Sequence, residues 1–202
     1  MSTTLAYIQF VEYVVISFLS LILKNMALSH SILATLGDSA FSGYDLWKKF
    51  SECTTHYWKA SQQQVYRELS KLESLGAIAV EIVPQDGRPD KKLYRITKEG
   101  KEMLCDWIAK PSDPAAIREE VLVKTLAAHL VSPEVILTDL KRRHHIHSEN
   151  LAACREKERE CFNNPSDLSI EERCMYLTLR RGIRYETEWV EWCEEAIAVF
   201  EG

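Results

Sequence analysis

Polar and basic side chains recur along one side of the segment 61–76, and their spacing suits contact with nucleic acid. The apolar residues Val65, Leu69 and Leu72 follow the i, i+4, i+7 spacing of a half-buried helix. The other side carries Gln63, Gln64, Arg67, Ser70 and Lys71, with Tyr66 at the border of the apolar side. Glutamine can pair with adenine and arginine with guanine through two hydrogen bonds each. The segment is therefore predicted to read DNA bases.

A second group of basic residues lies on a predicted β-hairpin. Two short stretches, 77–83 and 91–96, have the composition of strands and flank a stretch rich in turn residues. Lysine and arginine displace condensed counterions from DNA, so basic residues here are expected to contact phosphates. The phosphate candidates are Lys59, Lys71, Arg88, Lys91 and Lys92. A reading helix followed by a basic hairpin predicts a winged helix-turn-helix.

Capping patterns mark where the helices begin and end. Ser61 followed by Gln64 is a capping box, and Gly76 suits the left-handed position after the last turn. Ser42 with Asp45 is a second capping box, and Thr97 caps a further helix, Lys98 to Ala109. Three helices and a hairpin in about seventy residues match the winged helix-turn-helix in number and order.

Composition favours a mostly helical protein and gives no sign of an enzyme. The 202 residues are 46% hydrophobic and include only seven Gly and six Pro, so doubly wound and barrel folds are not expected. The sequence contains no phosphate-cradling glycine loop, nucleophile elbow or HExxH motif. We therefore expect neither catalysis nor a cofactor.

The net charge of −5 is distributed unevenly. Residues 26–110 carry 12 Lys and Arg against 11 Asp and Glu, whereas residues 111–202 carry 12 against 18. Within 59–101, nine basic residues stand against six acidic ones. The positive excess therefore coincides with the predicted reading helix and hairpin. Because the excess is small, specific binding is expected to depend on a dimer.

Cysteine and histidine residues give no predicted metal site. The six cysteines are scattered without a CxxC pair, which favours free thiols and a reducing, cytoplasmic location. His144, His145 and His147 suggest a metal, but no cysteine or carboxylate pair has a matching spacing. A polar residue in a helix seam more often sets the register or finds a hydrogen-bond partner, and we favour that interpretation.

The most hydrophobic stretch of the chain covers residues 5–23. A signal peptide is disfavoured because there is no basic n-region or cleavage site. A membrane helix is disfavoured because Gln9 and Glu12 interrupt the run of about twenty apolar residues that a span needs. Two interpretations stay open: an extra amphipathic helix, or a hydrophobic extension, 1–25, that precedes a natural start at Met26. We base no function on it and expect no membrane partner.

The C-terminal half is predicted to consist of long helices. Asp113 and Pro114 are placed at the start of a helix that runs to about Val131. A second helix of roughly thirty residues starts at Ser132 in the same manner, with proline as its first residue. Ser169 caps the last helix, with a glutamate three residues later.

Two of these helices carry a seam at heptad spacing, in alternating steps of three and four. The seam positions are Leu137, Leu140, His144, His147 and Leu151 on the first helix, and Tyr176, Leu179, Ile183, Val190 and Ile197 on the second. One chain supplies two antiparallel helices, and a second chain could complete a four-helix arrangement. We therefore expect a homodimer, which would present two reading helices to the half-sites of a palindrome.

Five segments of the chain match a known pattern. They are SGYDLWKKF (42–50), YWKASQQQVYRELSKLESLGAI (57–78), GRPDKKLYRITKEG (87–100), IREEVLVK (117–124) and LTLRRGIRYETEWVEW (177–192). From about Met26 to the C-terminus, the sequence resembles the PadR family of bacterial transcriptional regulators, and most closely its AphA-like members. The resemblance implies a recognition-helix role for Gln63, Gln64, Tyr66 and Arg67, and a wing role for Arg88, Lys91 and Lys92.

Taken together, the sequence predicts a mostly helical, cytoplasmic transcription factor that binds a palindromic operator in double-stranded DNA. A winged helix DNA-binding domain, 26–110, would precede an antiparallel coiled-coil dimerisation domain, 111–202. An acidic protein-interaction module that uses the winged helix as a scaffold is the alternative. A further variant is a sensor, in which a small-molecule effector at the dimer seam alters half-site spacing. Four tryptophans could line an effector cavity, although packing is favoured: Trp58, Trp107, Trp189 and Trp192.

Overall fold

The computed structural model describes residues 28–37, 39–54, 60–87, 90–114 and 119–202. The hydrophobic stretch 5–23 lies outside the described residues, as do Trp58 and Lys59. The chain divides into two compact units between Asp113 and Pro114. Each unit has its own hydrophobic core.

The described part of the first unit contains four helices and three strands. Helix α1 covers residues 28–36 and is followed by Gly37, whose φ of 48° is in the left-handed region. The remaining elements are β1 (Phe41–Ser42), α2 (Gly43–Thr54), α3 (Gln62–Ser74), β2 (Ile78–Val83), β3 (Lys91–Ile96) and α4 (Lys98–Ile108). This order of helices followed by a hairpin is the winged helix that the sequence predicts.

The strands form one antiparallel sheet in the order β1-β3-β2. Val80 lies opposite Tyr94, which on its other side lies opposite Phe41. The hairpin strands agree with the sequence prediction. Strand β1 was not predicted, because two residues are too short to show a strand periodicity.

The core of the first unit joins α1, α2, α3 and the sheet. Its buried residues are Leu28, Ile32, Leu33, Leu36, Leu46, Val65, Leu69, Leu72, Ala77, Ile78 and Tyr94. Helix α3 contributes its predicted apolar face, since all three of its aliphatic residues in this core are fully buried. This burial fixes which side of α3 faces solvent.

Local hydrogen bonds define the ends of these helices. Ser61 and Gln64 form the predicted reciprocal capping box, and Gly76 has a φ of 69°. At the start of α2, Asp45 N–H donates to Ser42 Oγ over 3.1 Å, and the Ser42 hydroxyl donates to Asp45 Oδ2 over 2.7 Å. This cap differs from a capping box because the second bond joins two side chains.

The second unit is built around two long antiparallel helices. Its elements are α5 (Glu120–Leu126), a 3-10 turn (Ala128–Leu130), α6 (Pro133–Cys161), a second 3-10 turn (Pro165–Asp167) and α7 (Ile170–Glu201). Ser169 and Glu172 form the predicted capping box of α7. Among the described residues, no helix is long and apolar enough to cross a membrane.

The predicted helix from Asp113 to about Val131 is wrong at both ends. Asp113 and Pro114 are not helical, α5 begins at Glu120, and the regular helix gives way to a 3-10 turn after Leu126. A proline at the first helical position is compatible with a helix start but does not require one. The residue before a proline also favours extended backbone, so the same pair suits a linker.

Helices α6 and α7 enclose two apolar clusters. One contains Val121, Ala128, Ile136, Leu140 and Ala196, and the other contains Leu151, Cys154 and Ile183. Cys105, Cys154, Cys161, Cys174 and Cys193 are free thiols. Burial raises the pKa of the Cys154 and Cys193 thiols, which keeps them protonated as small apolar groups.

Candidate nucleic-acid interface

Helix α3 presents the polar face that the sequence predicts. Its exposed residues include Gln63, Gln64, Arg67, Ser70 and Lys71, on the side away from the core. Their backbone positions follow from the capping box at one end and from the buried aliphatic residues along the other side. The face is therefore held by a rigid element that is packed on its own core.

Three of these polar side chains already have partners within the chain. Gln64 Oε1 accepts a hydrogen bond of 2.8 Å from Ser61 N–H as part of the cap. Ser70 Oγ donates to the Tyr66 carbonyl over 3.2 Å. Lys71 Nζ lies 2.7 Å from Glu68 Oε1. These side chains are committed to α3 itself, so a DNA contact would have to share or replace an existing bond.

Of the five polar residues that the sequence predicts on this face, Gln63 and Arg67 are left available. Within the part of the chain that the structure describes, neither side chain has a hydrogen bond or an ion pair. They are four residues apart, so they lie next to each other on the same face of the helix. At this spacing the amide, with one donor and one acceptor, and the guanidinium, with donors only, offer two bidentate contacts to adjacent bases.

Tyr66 combines packing with partial exposure. A Cβ atom at Gly43 would lie 2.6 Å from Tyr66 Cε1, so the ring rests directly on the first turn of α2. The residue is still 39% exposed. Packing of the ring is thus observed, and a phosphate contact by the hydroxyl stays a prediction.

Glu68 is a residue of this helix that the sequence analysis missed. Its side chain is buried, and Oε1 accepts a hydrogen bond of 2.6 Å from Ser29 Oγ in α1. The sequence carried a signal for it, because Glu68 lies three residues after Val65 and four before Leu72, on the apolar face. A carboxylate at that position had to find partners, and they come from α1 and from Lys71.

The wing places its lysines in two different environments. Lys91 Nζ lies 3.1 Å from Asp45 Oδ2, which ties the start of β3, beside the hairpin turn, to the first turn of α2. The hydrogen bond from Ser42, together with Lys91, holds the pKa of Asp45 below its ordinary value. Lys92 is exposed and lies opposite Ile82. Arg88 falls outside the described residues, as Lys59 does.

Most of the predicted seam residues pack between α6 and α7 of the same chain. Leu140, Leu151 and Ile183 are buried, and the other seam positions are partly buried, namely Leu137, His144, His147, Tyr176, Leu179, Val190 and Ile197. A side chain that is fully buried within one chain cannot gain burial from a second. The seam as a contact between two chains stays a prediction, and much of its apolar surface is already used.

The seam histidines have carboxylate partners. His147 Nδ1 lies 2.6 Å from Glu186 Oε2, and His144 Nε2 lies 3.1 Å from Glu194 Oε1. The imidazole of His147 also stacks on Trp189 at 5.0 Å between ring centroids. Among the described residues, no group of three or more His, Cys, Asp or Glu could hold a metal ion. These polar seam residues instead join α6 to α7.

The described tryptophans that were considered for a cavity make ring contacts. Trp107 stacks on His30 at 4.6 Å between centroids, and Trp189 meets Trp192 edge-on at 5.4 Å. These contacts are the packing that the sequence analysis favoured.

A three-stranded sheet, a capped third helix with an exposed polar face and a separate helical unit define a winged helix-turn-helix protein. Two family models match the chain. "Transcriptional regulator PadR-like family" covers residues 32–106, and "Virulence activator alpha C-term" covers residues 117–201. The chain therefore belongs to the PadR family of transcriptional regulators, and it is AphA-like. Its relatives are regulators, which agrees with the prediction that it is not an enzyme.

Individual relatives match over nearly their whole length. The probable transcriptional regulator Rv1176c of Mycobacterium tuberculosis is 33% identical over 84% of this chain and 95% of that protein. The structure is similar to that of Bacillus subtilis PadR in complex with operator DNA, with a TM-score of 0.74 and 25% identity over 86% of this chain and 99% of the other. The Vibrio cholerae virulence activator AphA gives a TM-score of 0.70 and 32% identity, over 86% and 98%.

Proposed function

We propose that this regulator acts by binding a palindromic operator in double-stranded DNA as a homodimer. The DNA-binding domain would be 26–110 and the dimerisation domain 111–202. The observation that carries the proposal is the pair Gln63 and Arg67, exposed side by side on α3 and without partners among the described residues.

In this proposal α3 enters the major groove, where each base pair has a distinct pattern of donors and acceptors. Arg67 is assigned to guanine and Gln63 to adenine. Each good bidentate contact contributes about 1–3 kcal/mol of discrimination against a wrong base. Gln64, Ser70 and Lys71, the remaining polar residues of the face, are assigned to the sugar-phosphate backbone of DNA. Their side chains also form hydrogen bonds within α3 and at its cap.

Basic residues around α3 are assigned to phosphates. Lys92 is the exposed lysine of the wing. Lys91 would have to share its ammonium group between Asp45 and a DNA phosphate, or leave its ion pair with Asp45. Lys59 and Arg88 are also assigned to phosphates, on the ground of their positions in the sequence alone. Such contacts position the protein on the duplex without reading its sequence, and they make affinity depend on salt.

A homodimer would give the complex its specificity. Two copies of α3 related by a two-fold axis would fit half-sites about 34–36 Å apart, one helical turn of DNA. The excess of positive charge in the winged helix is small, so non-specific attraction to DNA would be weak. Specific binding is therefore expected to need two copies of α3. The structure of the Bacillus relative with operator DNA supports DNA as the partner.

The test is selection of binding sites from a random duplex library, followed by titration of the recovered site. We expect an inverted repeat, and a steep loss of affinity with rising salt. Arg67→Ala should weaken binding to the selected site by about 1–3 kcal/mol and binding to unrelated duplex much less. Arg159→Ala, at an exposed position on α6, is the matched control. Recovery of no enriched sequence, or equal losses for both variants, would contradict the proposal.

The same experiment separates the alternative functions. A protein-interaction module would show neither an enriched site nor the salt dependence. A small-molecule effector stays a prediction for this chain. Bacillus subtilis PadR has been solved in complex with p-coumaric acid. That structure has a TM-score of 0.69 and 24% sequence identity to this chain, over 88% of this chain and 97% of that one. At this identity the similarity concerns the fold.

A further inference from the structure

A groove runs between α6 and α7 of the second unit, and charged side chains from both helices form its walls. Its volume is about 450 Å³, which lies within the range of about 300–1,000 Å³ that small-molecule sites occupy. Ile183 is its buried apolar residue, and every other described residue of the lining is polar. A ligand in this groove would therefore be held chiefly by charge.

An ion pair between the two helices crosses one end of the groove. Arg180 Nη1 of α7 lies 2.9 Å from Glu158 Oε1 of α6. Arg159, which also lines the groove, is paired with Glu156. Because these arginines already have carboxylate partners, they contribute little attraction for a further ligand. The charges that matter for binding lie further along the groove.

Two arginines come next along the groove, one on each wall. Arg155 lies three residues before Glu158 on α6, and Arg184 lies four residues after Arg180 on α7. Since the helices are antiparallel, both arginines lie on the same side of the ion pair. Both are exposed, and neither has a hydrogen bond or an ion pair among the residues that the structure describes. Guanidinium groups on two facing walls suit an oxyanion, which each can bind through paired hydrogen bonds.

Two glutamates follow on the α7 wall. Glu188 and Glu191 lie four and seven residues after Arg184, and both are exposed. In the described ranges, neither carboxylate has a hydrogen bond or an ion pair. The facing stretch 144–154 of α6 contains no Lys or Arg that could neutralise them. This end of the groove therefore attracts a cation, and an ammonium group could donate hydrogen bonds to both carboxylates.

The free charges of the groove thus have a fixed order, positive in the middle and negative at the far end. A simple anion would be attracted by the arginines and repelled by the glutamates, and a simple cation would meet the reverse. A molecule that carries an oxyanion at one end and an ammonium group at the other complements both pairs of side chains.

We propose that this groove binds a small zwitterion, whose oxyanion is held by Arg155 and Arg184 and whose ammonium group is held by Glu188 and Glu191. Carboxylate and phosphate share the geometry that a guanidinium recognises, so the ligand class is an amino carboxylate or an amino phosphate. The site lies within the second unit and goes beyond the proposed function, because it requires neither α3 nor an operator.

Isothermal titration calorimetry of the full-length chain tests the site with two probes, β-alanine and O-phosphoethanolamine. Both carry an ammonium group on a short linker, and they differ in the oxyanion, so the tighter probe identifies it. We expect saturable binding of at least one probe. Ethanolamine, acetate and inorganic phosphate should bind more weakly than that probe, since each carries only one sign of charge.

Substitutions on the two sides of the site separate the two ends of the ligand. Arg155→Gln and Arg184→Gln should each weaken binding of the tighter probe at least about fivefold, because each removes a charge-assisted contact. Glu188→Gln and Glu191→Gln should each weaken binding of the probe at least about twofold, through loss of attraction for its ammonium group. The glutamate variants should bind the matching simple anion, acetate or phosphate, as well as the wild type does or better.

Arg173→Gln and Glu195→Gln are the matched controls, at exposed positions of α7 outside the lining of the groove. Both should bind the probe like the wild type, and circular dichroism should show equal helicity for all variants. Failure of both probes to saturate would overturn the inference. Unchanged probe binding in the two arginine variants, or equal losses of probe and simple anion in the glutamate variants, would also overturn it. The assay contains no DNA, so a negative result would leave the proposed function intact.

Discussion

Ser29 Oγ in α1 donates a hydrogen bond of 2.6 Å to Glu68 Oε1 in the middle of α3. The same oxygen lies 2.7 Å from Lys71 Nζ one turn later. Glu68 is only 3% exposed, so this carboxylate connects the solvent face of the candidate recognition helix to the core of the domain. The orientation of α3 depends on this polar contact as well as on its aliphatic residues.

Replacing Glu68 should destabilise the winged helix. Glu68→Ala leaves the Ser29 hydroxyl without this acceptor and removes buried atoms, so we expect a loss of about 1–3 kcal/mol in the free energy of unfolding. Urea denaturation followed by circular dichroism is the measurement. Glu73→Ala, at an exposed position of the same helix, is the control and should change little. Equal unfolding midpoints for the two variants would contradict the assigned role.

The adjacent residues Gln63 and Gln64 should respond differently to the same substitution. Gln63→Ala should lower affinity for the selected operator, by about 1–3 kcal/mol if the contact to adenine is bidentate, with little change in stability. Gln64→Ala should lower stability by roughly 0.5–1.5 kcal/mol, because its side chain accepts the Ser61 N–H bond of the cap. Fluorescence anisotropy with labelled duplex and thermal unfolding report the two effects. The reverse ranking in both measurements would refute this division of roles.

The Asp45–Lys91 contact should contribute stability that depends on pH. Because the pKa of Asp45 is lowered in the folded protein, chiefly by Ser42 and then by Lys91, its contribution is present above the ordinary value of 3.8 and is lost as the pH falls through the lowered pKa. Both side chains are more than 40% exposed, so the contribution should be below about 1 kcal/mol.

Asp45→Asn should therefore lower the melting temperature near pH 7, and the difference from the wild type should shrink below pH 3.8. Asp106→Asn, an exposed carboxylate of α4, is the control and should have little effect at either pH. A deficit in Asp45→Asn that stays constant with pH would show that the charge of Asp45 is not its source.

A methyl group at Gly100 should disrupt the contact between α4 and the hairpin. A Cβ atom at this position would lie 2.0 Å from the Ala77 carbonyl oxygen, and that oxygen is backbone and cannot turn away. Gly100→Ala should cost at least about 2 kcal/mol of unfolding free energy, measured by urea denaturation. Gly87→Ala, in the hairpin turn with nothing within 4 Å of the added atom, should cost less despite its φ of 68°. A smaller loss at Gly100 than at Gly87 would contradict this account.

The sequence by itself determined the helices and the two hairpin strands of the winged helix, but not β1. Caps such as Ser61 with Gln64, a left-handed glycine such as Gly76, and the change from helical to strand periodicity all act within a few residues. Such signals can be read without knowing the fold. They were less decisive at Asp113 and Pro114, because one local pattern there suits both a helix start and an extended linker.

Only the tertiary structure decided which side chains of the candidate site are available. Ser29 and Glu68 are 39 residues apart, as are His147 and Glu186, and no local rule pairs residues at that distance. The fold brings them together, and among the residues that the structure describes it leaves Arg67 without a partner. It also directs the heptad seam into the contact between α6 and α7, because a chain that folds back on itself covers its own apolar stripe first.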